Sequence, residues 1–155
     1  MTHPTIILAT DHAGFAHKEA VKKFLSEHEK GYTILDVGAH TLVPEDDYPT
    51  YMTAAAMKVA EDMNGNTKAI IFGGSGQGEA IVANRFPGVR AVVWYGGDQD
   101  ILVKSREHND ANVLSIGARY MDEEAACDAA EVWLDTPFSE DPRHIRRITQ
   151  IDSIE

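Results

Sequence analysis

Glu79 is the residue from which the chemistry of this chain is most readily read. It closes the run Ile70-Ile71-Phe72-Gly73-Gly74-Ser75-Gly76-Gln77-Gly78-Glu79, where an apolar stretch leads into four glycines around one hydroxyl and one amide. Glycines so dense let the backbone turn back and present successive N–H groups to a ligand without side-chain obstruction. Such a loop suits an anion or a developing oxyanion, and Glu79 is its one ionisable group, placed to take and return a proton. Read in isolation, the run is equally a glycine-rich turn without chemistry, because short motifs match by chance.

Other reactive groups follow apolar runs in the same way. Asp11 and His12 come directly after Thr5–Thr10, and Arg119 comes just after Val113–Ile116. Singly, Asp11 is a helix cap, and His108 and Asn109 are residues common at a helix end. Their expected convergence on the rim where strands end favours a site over a set of caps. For His108 and Asn109 this requires the chain to return toward that rim. Arg143 and Arg147 stand four apart on a final helix and share a face, with His144 beside it. Paired guanidiniums suit a phosphate; the alternative is a solvated basic face.

The elements that must hold these groups alternate. Strands are expected at Thr5–Thr10, Tyr32–Val37, Lys68–Phe72, Arg90–Tyr95 and Val113–Ile116, each a compact apolar run. Helices are expected from after Gly14 to about His28, over Thr50–Met63, after the glycine loop as far as Pro87-Gly88, over Asp98–Glu107 with Asp98 as cap, over Asp122–Leu134, and after Ser139 and Pro142. Strand–helix alternation implies an α/β fold: a five-stranded parallel sheet covered by helices on both faces, a Rossmann-like three-layer sandwich. The 155 residues suit a single domain, residues 1–155, with a proper core.

Composition narrows the function. A net charge of −11 argues against a nucleic-acid or anionic-membrane surface but leaves room for a small anion beside clustered arginines. The single cysteine, Cys127, excludes an intrachain disulfide and reads as a packing residue within a helix. No run of transmembrane length and no leader pattern is present, so the cytoplasm is the expected location. The glycine loop follows the third strand and lacks G-x-G-x-x-G spacing, which argues against dinucleotide binding, and no P-loop occurs. The histidines show no metal-ligand spacing; neither metal nor cofactor is expected.

The ordered motifs Thr10-Asp11-His12-Ala13-Gly14-Phe15, Asp47-Tyr48-Pro49, Gly73–Glu79, Ala83-Asn84-Arg85, Arg106–Leu114, Ile116–Arg119 and Arg143–Arg147 resemble those of the ribose-5-phosphate isomerase B / galactose-6-phosphate isomerase family over essentially the whole chain. The resemblance implies a homodimer, sometimes paired into a homotetramer, with each site completed by the partner subunit. Many members place a proton-abstracting cysteine where this chain has Gly73. This sequence resembles the branch in which the glutamate at the Glu79 position is the base.

What the resemblance implies for the residues is specific. Glu79 moves the carbon-bound proton, Asp11 and His108 carry the ring-opening transfers, and Ser75 assists the N–H groups of Gly74, Gly76, Gln77 and Gly78 at the enediolate. Asn109 orients sugar hydroxyls. His12, Arg119, Arg143 and Arg147 bind the phosphate, the last two from the partner, and Tyr48 lines the site from the partner. The implied reaction interconverts ribose 5-phosphate and ribulose 5-phosphate. A six-carbon substrate such as galactose 6-phosphate or allose 6-phosphate stays open, as does a sugar-phosphate-binding protein without catalysis.

Overall fold

The computed structural model describes residues 3–154. Its strands are β1 (Thr5–Thr10), β2 (Thr33–Asp36), β3 (Thr67–Gly73), β4 (Ala91–Trp94) and β5 (Val113–Gly117). They form one parallel sheet in the order β2-β1-β3-β5-β4. The helices are α1 (Phe15–Ser26), α2 (Tyr48–Ala60), α3 (Gln77–Ala83), α4 (Asp100–Asn109), α5 (Glu123–Asp135) and α6 (Pro142–Asp152).

Strand pleating sorts the apolar residues into two layers. Ile6, Leu8, Ile70, Phe72, Leu114 and Ile116 face α1, α4 and α5, where they meet Val21, Leu25, Leu102, Ala126, Ala130 and Trp133. Ile7, Ala9, Ala69 and Ile71 face the other way, against Met52, Ala55, Ala56 and Val59 of α2 and Ala83 of α3. β1 and β3 are therefore apolar without interruption over residues 6–9 and 69–72, as burial on two faces demands. Ile70, Ile71 and Phe72 are at most 1% exposed. Each stabilises the fold by about 2 kcal/mol, and together they anchor the strand that carries the glycine loop.

The end of β1 is braced from below. Lys18 is fully buried, and its ammonium reaches both Asp36 oxygens at 2.8 Å and the Ala39 carbonyl at 2.6 Å. Asp36, at the end of β2, is thus an ion-pair centre shared by Lys18 and Lys22. The segment it holds returns two hydrogen bonds to Thr10: Thr10 N–H to Gly38 O and Ala39 N–H to Thr10 O, both 2.7 Å.

Helix starts follow local chemistry. Asp122 caps α5 through Ala125 N–H, and Asp141 caps α6 through Arg143 N–H with Pro142 as the first residue. Two expectations shift. Asp98 does not cap α4, because the cap position is Gln99; the Asp98 carboxylate instead accepts from Asp100 N–H in an Asx turn. The segment after Asp11 opens with a 3-10 turn, His12–Gly14, before α1 begins. Trp94 is buried in the core, while Tyr95 is exposed and tilted against Tyr120. Cys127 is half-buried beside the same core, and burial raises its thiol pKa.

Candidate active site

β3 is the hinge of the layout. Its helix, α3, lies on one face, while α1 after β1 and α5 after β5 lie on the other. The segments leaving β3 and its two neighbours therefore diverge and open a crevice at the strand ends. A cleft of about 270 Å3 sits there, lined by Asp11, His12, Ala13, Tyr48, Gly74, Ser75, Gly78, Glu79 and Arg119.

The glycine loop is held by contacts that leave no room for side chains. Gly76 adopts φ +76°, a conformation that favours glycine, and its carbonyl accepts from the Ser115 hydroxyl at 2.7 Å. A Cβ on Gly117 would lie 2.6 Å from Ser75 O, so strand and loop touch backbone to backbone. A Cβ on Gly74 would meet the Arg119 guanidinium at 3.0 Å, and one on Gly78 would meet the Tyr48 hydroxyl at 2.4 Å. The Arg119 N–H also donates to Gly74 O at 3.1 Å. Among the described residues Arg119 makes no ion pair, which leaves an exposed cation at the cleft edge.

Glu79 is 4% exposed. A Cβ built on Gly73 would fall 1.8 Å from Glu79 Oε1 and 2.0 Å from Cδ. The carboxylate thus occupies the volume that a side chain at 73 would need. Burial raises its pKa, and the nearby Asp11 charge adds to the rise; its own backbone N–H and Arg119 oppose it. A buried carboxyl group with a raised pKa beside a cleft is a candidate for proton transfer.

Asp11 serves as a cap and also faces the cleft. Its Oδ1 accepts from Ala13 N–H at 2.9 Å, and its Oδ2 lies 3.9 Å from His12 Nδ1. His12 Nδ1 is 2.8 Å from Asp46 Oδ1, which also accepts the His12 backbone N–H at 2.8 Å. Asp46 carries no motif signal and no periodic position, so sequence reasoning passes it over. Asp11, His12 and Asp46 bring one potential metal-ligand atom each within 4.8 Å of one another, but the closest donors are already bonded to each other.

Two placements differ from expectation, that of Tyr48 and that of the His108–Asn109 pair. Tyr48 lines the cleft of its own chain, since α2 begins there and its hydroxyl packs over Gly78. The Gln77 side chain is exposed and lines a separate surface with Ile81 and Asn84, while its N–H approaches the Ser75 hydroxyl at 3.3 Å. His108 and Asn109 lie at the opposite end of the sheet. A helix that follows a parallel strand runs back toward its start, and α4 ends four residues before β5 begins. The Arg90 guanidinium, just ahead of β4, donates to the Asn109 and Asp110 carbonyls and confirms that end. With β3 spanning seven residues, the two rims are on the order of 20 Å apart.

At that far rim a second cluster forms. The His108 and His144 rings stack at 4.3 Å, His144 Nδ1 meets the Ser139 hydroxyl at 3.0 Å, and Ser139 N–H donates to Glu107 O. Arg143 and Arg147, both exposed, stand on α6 beside them. Buried Arg106 fixes the α4 end through Asp110, the Ala111 carbonyl and the Thr136 carbonyl. The expected site residues therefore fall into two groups, Asp11, His12, Tyr48, Gly74–Glu79 and Arg119 at one end, His108, Asn109, Arg143 and Arg147 at the other.

A family model described as Ribose/Galactose Isomerase matches residues 6–151. The chain is 36% identical over 143 residues to a ribose-5-phosphate isomerase B of Mycolicibacterium paratuberculosis, covering 92% of this chain and 86% of the relative. It is 37% identical to a 4-deoxy-4-sulfo-D-erythrose isomerase of Clostridium sp., over 87% of this chain and 81% of that one. A crystal structure of ribose-5-phosphate isomerase B from Mycoplasma genitalium with bound ribulose-5-phosphate superposes with a TM-score of 0.88 at 28% identity, covering 96% of this chain and 93% of the other.

Proposed function

Since the chain belongs to the ribose/galactose isomerase family, we propose that it interconverts ribose 5-phosphate and ribulose 5-phosphate through an enediolate. The single observation that carries the mechanism is the buried Glu79 carboxylate resting over Gly73, inside a cleft rimmed by an unpaired arginine. Glu79 removes the proton from C2 of the open-chain aldose and returns it to C1. The charge that develops on the carbonyl oxygen is met by N–H groups of the 74–78 loop and by the Ser75 hydroxyl. One such donor is worth roughly 3 kcal/mol of transition-state stabilisation.

The two separated groups support a shared site. A phosphate held near Arg119 in one protomer is beyond reach of the same chain's Arg143 and Arg147, whereas a second copy can bring its far rim to the cleft. On this reading His108 of one chain donates the ring-opening proton opposite Asp11 of the other, and Asn109 binds sugar hydroxyls. Arg143 and Arg147 close on the phosphate.

The test is ketose formation from a panel of five- and six-carbon aldose phosphates. Ribose 5-phosphate should show the highest kcat/KM; a six-carbon phosphate exceeding it would reassign the substrate, and no turnover of any would leave a binding protein. Mixing Glu79→Gln chains with Arg143→Ala/Arg147→Ala chains tests sharing. Random dimers should recover about a quarter of wild-type activity, and no recovery on subunit exchange would refute a composite site.

A further inference from the structure

The Asp46–His12 contact is not used by the mechanism above. Asp46 lies in the loop ahead of α2, and one of its oxygens, Oδ1, takes two N–H groups of one residue: the His12 backbone and ring Nδ1, both at 2.8 Å. Its side chain is 9% exposed, and Oδ2 is buried with no partner in hydrogen-bond geometry among the described residues. The Tyr51 hydroxyl on α2 faces that carboxylate, which raises the tyrosine pKa. Burial works against the Asp46 charge, yet the His12 backbone and ring contacts hold its pKa below the ordinary carboxylate range. An ionised carboxylate only accepts, so the Nδ1 atom of His12 must carry the proton.

We propose that Asp46 is a positioning residue: through Oδ1 it holds the Nδ1–H of the His12 ring, so that Nε2, a donor in the protonated ring, is the nitrogen that faces the anionic end of the substrate. This rests on the isomerase reading for the identity of that substrate, although the ring geometry stands without it.

The groups around His12 act in opposing directions. Asp46 raises its pKa most and Asp11 raises it further, while partial burial and Arg119 across the cleft lower it; the net shift is upward. Glu79 faces the same space from α3 and feels the Asp11 charge. A ring kept protonated to higher pH holds a second N–H donor, at Nε2, for a phosphate oxygen. Asp46→Asn retains the shape and removes the charge, so it isolates this effect.

The experiment is a long-range proton–nitrogen spectrum of histidine-labelled protein against pH, with the His12 signals assigned by their loss in His12→Gln. In the wild type, Nδ1 should be the protonated nitrogen of the neutral ring, and the ring should titrate at higher pH than in Asp46→Asn. KM for ribose 5-phosphate should rise several-fold in Asp46→Asn at pH 8 and converge with wild type at pH 6, with Asp46→Glu restoring part of the loss. An unchanged His12 titration in Asp46→Asn overturns the proposal whatever the activity. A titration that moves while KM keeps its pH profile overturns the link to substrate. Absence of turnover in the wild type refutes the isomerase reading instead; the ring's titration and its response to inorganic phosphate then decide for Asp46.

Discussion

Gly73→Ala tests the geometry of the base with a single methyl group. The backbone at 73 has an ordinary negative φ, so alanine costs no conformational strain there. Its Cβ would lie 1.8 Å from Glu79 Oε1, and ordinary contact begins at 3.4 Å, so the carboxylate must retreat by about 1.6 Å. The obstacle is the far end of a flexible side chain, which makes the fold tolerant. Chemistry is less tolerant: a misplacement of about 1 Å costs on the order of a hundredfold, which is about 2.7 kcal/mol of barrier. Gly73→Ala should therefore keep its melting temperature and KM close to wild type while kcat for ketose formation falls about a hundredfold. Because the methyl acts only through the base, adding it to Glu79→Gln should cost little more, a strongly non-additive cycle. Retention of kcat within about threefold, or a further hundredfold loss in the double variant, would refute the view that Glu79 works from the space above Gly73.

The remaining expectations concern charge. Glu79 has a folded-state pKa above its unfolded value, so its stabilising contribution is complete below about pH 4 and lost as pH rises through the folded pKa. Glu79→Gln should then melt higher than wild type at neutral pH and lose that advantage in acid; parallel melting curves at every pH would contradict the raised pKa. Lys18→Met keeps the volume but removes the buried ammonium from Asp36, leaving it the half-exposed Lys22 and the Gly38 N–H. Urea titration should show a loss of about 3 kcal/mol, as for other broken buried pairs, and an unchanged midpoint would demote the brace. Arg143→Ala should raise KM for ribose 5-phosphate more than it lowers kcat, since an exposed arginine on α6 contributes binding common to ground and transition states; a pure kcat defect would give it a different part.

The layers of the fold are legible because β1 and β3 hold uninterrupted apolar runs and the helices carry alanine, valine and methionine at helical spacing, punctuated by Gly and Pro. The near half of the candidate site is legible for a similar reason: Asp11, the glycine loop and Arg119 each follow a strand, and strand ends share a rim. The motif around His108 and Asn109 records identity and order but not direction, so it does not tell which rim they reach. A crossover helix after a parallel strand must end at the opposite rim, and Asn109 is the last residue of such a helix. The place of Tyr48 in its own chain's cleft is not legible, because nothing local ties the start of α2 to Gly78, a contact made only in three dimensions. Asp46 left no trace in spacing, for it acts from an irregular loop whose path is set by packing against the 3-10 turn at His12.

The placement of the two residue groups at opposite rims also bears on when activity can exist. On the composite-site reading, a newly made chain holds a base without a ring-opening acid and a phosphate clamp without a base, so it is inert toward the substrate until it meets a twin. Specific activity should then fall with dilution as a dissociation curve, and the assay would read the subunit equilibrium as directly as the chemistry.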